Sequence, residues 1–205
     1  MKHESEAVRG RPSQDLDQRL LTVAREILER EGLEALTLRA AARAAGVSHM
    51  APYRHYASKD ELLAAVAESG FAAMIGAMDD TAGKRPDKAG RIECLGMAYV
   101  LFAIENPSLY RLMFGCNLPK RTRFPKLIEA GNLALERCAR VLESEGHKHS
   151  AGEPQATPKD IALWSLLHGL ASLTIDSLVD SPNPQSPNLR KEVQAVLASW
   201  SPAAH

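Results

Sequence analysis

The sequence predicts an all-α fold of about nine helices, from three observations. Apolar residues recur at three- and four-residue spacings along almost the whole chain; the breaks between these stretches carry Ser, Thr, Asn, Gly or Pro at helix-boundary positions; and no stretch alternates apolar and polar residues as a half-buried strand does. The chain has 205 residues, 45% hydrophobic and 24% charged. That is enough to bury a core, as one large domain or two small ones.

Residues 1–14 carry Lys2, Arg9, Arg11 and Pro12 without apolar periodicity and read as a flexible basic arm. From Asp15, the residues Leu16, Leu20, Val23 and Ile27 form the stripe of an amphipathic helix, and Gly32 is placed to end it. Thr37 caps a short helix whose inward face is Leu38, Ala41, Ala42 and Ala45, stopped by Gly46. Ser48 reads as the N-cap of a second short helix over residues 49–56, with Val47 tucked inward between the two. Pro52 lies inside that segment; proline is tolerated only near a helix start, so the start is defined to within about a residue. Ser58-Lys59-Asp60-Glu61 has the form of a capping box and opens a long helix through Leu62, Leu63, Val66 and Phe71 to about Met78.

The Gly/Lys/Pro/Asp stretch at residues 83–88 is the clearest break in the front half. It divides the chain into the arm (1–14), a front domain with its linking helix (15–82) and a larger domain (83–205). Ile92, Leu95, Tyr99 and Phe102 mark the next helix, then Asn106 as cap and Pro107 at the first position start another through Phe114. Residues 125–146 form a helix with Leu127, Leu135, Cys138 and Leu142 inward. After a polar loop, Thr157-Pro158 opens a helix apolar nearly all round, from Ile161 through Val179, which must be covered on several sides. A final helix places Leu189, Val193, Val196, Leu197 and Trp200 on one face.

Lysine and arginine balance aspartate and glutamate at 25 each, so the protein is not a generally basic coat for nucleic acid or membrane. Between Thr37 and Lys59, however, stand Arg39, Arg43, Arg54 and Lys59 and no acidic residue. Short helix, glycine turn and short helix is the geometry that inserts a second helix into the DNA major groove while the first braces it. Thr37, Ser48, Tyr53, His55 and Tyr56 supply polar groups of the kind that position on phosphates.

Residues 37–63, TLRAAARAAGVSHMAPYRHYASKDELL, resemble the DNA-binding signature of TetR regulators. The resemblance implies that Thr37, Tyr53, His55 and Lys59 contact phosphates or support such contacts, and that Ser48, His49, Ala51 and Arg54 face the groove; the charge of Arg39 adds it to the set. Leu109-Tyr110-Arg111-Leu112-Met113-Phe114-Gly115, followed later by Trp164 and His168-Gly169, resembles a Trp/His-Gly subtype of TetR C-terminal domains. Gly169 would let another helix approach closely. Candidate pocket residues are Met97, Leu101, Phe102, Tyr110, Met113, Phe114, Trp164 and His168, although their helical spacing is also that of core. The resemblance further implies a homodimer through the last two helices, with Leu167, Leu170, Thr174, Leu178, Val193, Leu197 and Trp200 at the interface. Two recognition elements about 34 Å apart would then read a near-palindromic site on double-stranded DNA.

Cys94, Cys116 and Cys138 lack ligand spacing and read as reduced packing thiols, with redox sensing the second reading. His147 and His149 have no third ligand nearby, so neither metal nor cofactor is expected. No continuous apolar run approaches about 18 residues and the first residues are polar, which predicts a cytoplasmic protein with no membrane partner. GxSxG, HExxH, P-loop and dinucleotide fingerprints are all missing, so an enzyme is not expected. The expected function is a repressor released from a palindromic operator by a small-molecule effector. The alternatives are a DNA-binding regulator without a small ligand, partner-controlled or activating, and an enzyme with an appended helix-turn-helix.

Overall fold

The computed structural model describes residues 11–82, 87–115, 118, 121–140, 157–180 and 182–199. Among these the chain is helical, without strands: α1 (Arg11–Glu31), α2 (Leu38–Ala44), α3 (Lys59–Ala82), α4 (Lys88–Glu105), α5 (Pro107–Phe114), α6 (Pro125–Arg140), α7 (Pro158–Ile175) and α8 (Leu189–Ser199), with 3-10 turns at Pro52–Arg54 and Arg121–Arg123. Eight α-helices rather than about nine follow from residues 49–56, which form only the first of these turns.

Other boundaries differ from expectation: α3 runs past Met78 to Ala82, and α7 ends at Ile175, short of Val179. The described part of α1, Arg11–Glu31, includes residues ahead of the expected start at Asp15, Pro12 among them. Residues 1–10 of the expected arm lie outside the described residues, as do residues 83–86 of the expected linker, Cys116, Leu142, His147, His149 and Trp200. Asn106 does not cap α5 with its side chain; its Nδ2 donates back to the Phe102 carbonyl at 3.0 Å. The capping box opening α3 is present: Glu61 N–H donates to Ser58 Oγ at 3.2 Å and Ala57 N–H to Glu61 Oε2 at 2.7 Å. Thr157 caps α7 as expected, and Asp160 completes a capping box there by accepting from the Thr157 amide at 2.7 Å.

Helix α3 is the central strut, packed by α1, α4, α5 and α6. Its Lys59–Thr81 stretch is long and apolar enough to cross a bilayer by composition, although no unbroken apolar run marks it in the sequence. Over half of it is buried in the fold, so its apolar character serves the core, with Leu62, Val66, Phe71, Met74 and Met78 inward. A Cβ at Gly70 would stand 2.6 Å from Met113 Sδ, so this glycine lets α5 lie close on α3.

The apolar helix α7 turns Leu163, Leu167, Leu170, Ala171 and Thr174 inward, leaving Ile161 and Leu173 exposed. A Cβ at Gly96 of α4 would lie 3.0 Å from both Leu167 and Leu197. Gly169, expected at a close helix approach, has nothing within 4 Å of a Cβ, and that role belongs to Gly70 and Gly96. Of the expected interface set, Leu167, Leu170, Thr174, Val193 and Leu197 are therefore core of the single chain. Among the described members of that set, only Leu178, 69% exposed, keeps a surface free for a partner.

Candidate functional site

The turn after α2 is a Schellman closure: Gly46 adopts φ +67°, its N–H donates to the Arg43 carbonyl at 3.2 Å, and Val47 N–H donates to the Ala42 carbonyl at 3.0 Å. Thr37 Oγ1 accepts from Ala40 N–H at 3.0 Å and caps α2 as expected. The following segment differs from the expected recognition helix. Ala51 N–H donates to the Ser48 carbonyl, Arg54 N–H to Ala51 and His55 N–H to Pro52, each a three-residue step. Pro52 has no amide to give to the Ser48 carbonyl, so the α-helical ladder cannot run through it. Tyr56 N–H closes the only α-type step, onto Pro52 O at 2.9 Å.

This local fold leaves Arg39, Arg43, Ser48, His49, Met50, Tyr53 and Arg54 exposed, and half-buries Ala51. None of the three arginines has an ion-pair partner among the described residues, so their charge is free for an external anion. Met50, 57% exposed beside the candidate contacts, went unremarked in the sequence, where nothing distinguishes it from a core methionine.

His55 and Lys59 behave as supports. Lys59 Nζ donates to the Leu33 carbonyl at 3.1 Å, tying the start of α3 to the loop after α1. His55 Nδ1 lies 3.6 Å from Asp17 Oδ1, and Tyr56 OH donates to the same oxygen at 2.6 Å. Burial and the Asp17 carboxylate together raise the Tyr56 pKa, so its hydroxyl keeps its proton and remains a donor. Arg19 Nη2 donates to the Ala45 carbonyl at 2.6 Å. Asp17 and Arg19 thus hold the turn from α1. Sequence reasoning missed both because their partners lie 39 and 26 residues away.

The larger half divides the candidate pocket residues into two groups. Tyr110, Phe114, Trp164 and His168 join Phe71 and Tyr99 in one aromatic cluster, with Met113 buried beside it against α3. Ring centroids are 4.7 Å apart for Tyr110–Phe114 and for Phe114–His168, and 5.5 Å for the stacked Tyr110–His168 pair. Within it a polar triad closes: Tyr110 OH lies 2.7 Å from His168 Nδ1 and 3.1 Å from Tyr99 OH. Burial lowers the His168 pKa and raises those of Tyr99 and Tyr110, so all three are neutral near pH 7. A neutral imidazole has one accepting and one donating nitrogen and a phenol can do either, so the short contact is satisfied without charge.

Met97, Leu101 and Phe102 instead line a groove of about 360 Å³ between α3, α4 and α8, with Ala98 in its floor and Glu93, Cys94, Glu105 and Arg190 around it. Cys138 is buried beneath the cluster, its thiol pushed up to about 12 by burial, and is held as an unreactive packing group. Cys94, half-buried, lines the groove.

Two family models match the chain. That of the bacterial regulatory proteins, tetR family, covers residues 20–66, and that of the Tetracyclin repressor-like C-terminal domain covers residues 92–196, just over half of the chain. Among solved structures, a protein of unknown function from Rhodococcus sp. RHA1 is 26% identical, over 96% of this chain and 94% of that one, with a TM-score of 0.70. The TetR family transcriptional regulator PfmR from Thermus thermophilus is 20% identical over 89% and 93% (TM-score 0.61). The fatty acid degradation regulator FadR from Bacillus halodurans is 12% identical over 90% and 100% (TM-score 0.64). The search of curated proteins finds no match.

Proposed function

The chain belongs to the TetR family of DNA-binding transcriptional regulators, and on that premise we propose that it acts as a homodimeric repressor released from a near-palindromic operator by a small molecule. The observation that carries the DNA part is the division of labour around the glycine turn. Asp17, Arg19, His55 and Lys59 are engaged inside the protein, while Arg39, Arg43 and Arg54 stand exposed without partners among the described residues. A neutral chain concentrating unpaired cations on one segment is built to meet phosphates there.

Ser48, His49, Ala51, Tyr53 and Arg54 are proposed to face the groove and the adjacent backbone, with Thr37 and Arg39 at the α2 side. The functional boundary is proposed at residues 82–83, the end of α3. With most of the expected interface set buried in one chain, the dimer contact is proposed to use Ile161, Leu173 and Leu178, 53%, 42% and 69% exposed, together with Trp200. The effector is proposed to enter the groove beside Met97, Leu101 and Phe102. Helix α4 walls that groove and also carries Tyr99 into the aromatic cluster, so an occupant that favours one placement of α4 shifts the population of the DNA-binding form.

The test is selection from random duplex DNA, followed by titration of the selected site and a scrambled duplex at two salt concentrations. Selective, salt-dependent binding by a dimer to an inverted repeat is expected. Equal affinity for both duplexes would overturn the reading, and binding to a single half-site by a monomer would overturn its dimeric part.

A further inference from the structure

Helix α5 starts without a cap from its own neighbourhood. With Asn106 turned back onto Phe102, the amides of Ser108 and Leu109 belong to the set that a helix start leaves unsatisfied. Glu29 of α1, 79 and 80 residues away in sequence, takes both: Oε2 accepts from Ser108 N–H at 3.2 Å and Oε1 from Leu109 N–H at 2.7 Å. A carboxylate at this position is doubly favoured, by charge-assisted hydrogen bonds and by the positive end of the helix dipole. The next residue along α5 is Tyr110 and the last is Phe114, both in the aromatic cluster. At the other end of α1, Asp17 and Arg19 hold Tyr56 and the Ala45 carbonyl. From Arg19 to Glu29 along an α-helix is about 15 Å.

We propose that Glu29 is a positioning residue that couples the aromatic cluster to the DNA-facing turn. Helix α1 is a stiff tie, pinned to α5 by Glu29 and to residues 45–56 by Asp17 and Arg19. When the cluster shifts Tyr110 and Phe114, the start of α5 moves and pulls α1, which reorients the turn. The inference rests on the regulator reading above for its biological meaning, and on the bonds of Glu29 for its mechanics. Its rival is α3, which runs from the turn into the larger half and packs on α4, α5 and α6.

A double-mutant cycle on the full-length chain separates the two paths, with amide hydrogen exchange of peptides spanning residues 45–56 as the readout. His168→Ala removes from α7 the hydrogen-bond partner of the Tyr110 hydroxyl, far in sequence from the turn. It is measured alone and combined with Glu29→Gln, which keeps the side-chain shape but replaces one accepting oxygen by a donor. His168→Ala should change exchange in residues 45–56 at least about threefold in the wild-type background, a coupling ordinary for contacting groups, and leave it unchanged in the Glu29→Gln background. Equal changes in both backgrounds would overturn the tie in favour of α3; no change in either would show that the cluster and the turn are not coupled. Circular dichroism melts establish that the variants are folded, and Glu29→Asp, too short to reach both amides, should reproduce Glu29→Gln. Affinities of the same four proteins for the selected duplex keep the two readings apart. Coupled exchange without selective DNA binding sinks the regulator reading alone; selective binding with additive exchange sinks the tie alone.

Discussion

Around the glycine turn, shape is set by backbone geometry and a few polar ties, whereas from α4 to α8 it is set by the packing of large side chains. The first region has a Schellman closure, a three-residue 3-10 turn and the contacts of Asp17, Arg19 and Lys59, with only Pro52 and Tyr56 buried between residues 46 and 58. The second buries Tyr99, Tyr110, Leu112, Met113, Leu163 and Leu167 almost completely. Segments with few buried apolar contacts open at low free energy, and segments packed like a crystal resist deformation. The segment that opens most easily is thus the glycine turn, and the most rigid part is the packed centre of the larger half.

The largest effect is expected at Gly96, in the packed region. Gly96→Val drives a side chain into Leu167 and Leu197 and should lower unfolding free energy by about 1–3 kcal/mol, measured as a shift in denaturant midpoint. An unchanged midpoint would mean that α4, α7 and α8 yield as easily as the turn. At the polar end, Lys59→Ala should cost about 1 kcal/mol by releasing the Leu33 carbonyl, with the salt slope of DNA binding preserved. Arg54→Ala should do the opposite, leaving stability alone and lowering the salt slope by about one unit. A reduced slope for Lys59→Ala would show that its ammonium leaves Leu33 for a phosphate in the complex.

Smaller effects sharpen the same contrast. Gly169→Ala, with open space around the new methyl, should raise stability by about 0.5–1 kcal/mol through helix propensity; a loss would reveal a close neighbour. Smallest is the pH response of His168. Burial holds its pKa below the ordinary 6.5, so as pH falls below 7 the unfolded chain takes up the proton first and stability declines. The loss continues until pH passes the folded-state pKa. His168→Gln should flatten that decline in denaturation curves between pH 7 and 5; an identical slope would show an imidazole that stays solvated.

Much of the front region was legible because its signals are local. A Thr at a cap, a Gly at a left-handed turn and a Ser/Glu pair three residues apart act within one helical turn of themselves, and Thr37, Gly46, Ser58 and Glu61 do so. The shortened recognition element was local too: Pro52 was visible, and its missing amide reaches past the expected helix start into the middle of the segment. By contrast, Glu29, Asp17 and Arg19 are indistinguishable in the sequence from other charged residues on a polar helix face. Their partners lie between 26 and 80 residues away.

The amino-acid sequence by itself determined the helices, most of their ends and the basic segment, because spacing, capping and charge are properties of neighbours along the chain. Only the tertiary structure decided which side of α7 is core. An all-round apolar helix carries no stripe to orient it, and its packing on α4 and α6 buries Leu163, Leu167 and Leu170 and leaves Ile161 and Leu173 outside. It also split the candidate pocket in two and gave α5 its cap from α1, since a carboxylate finds an orphaned amide by proximity in space, whatever their separation in sequence.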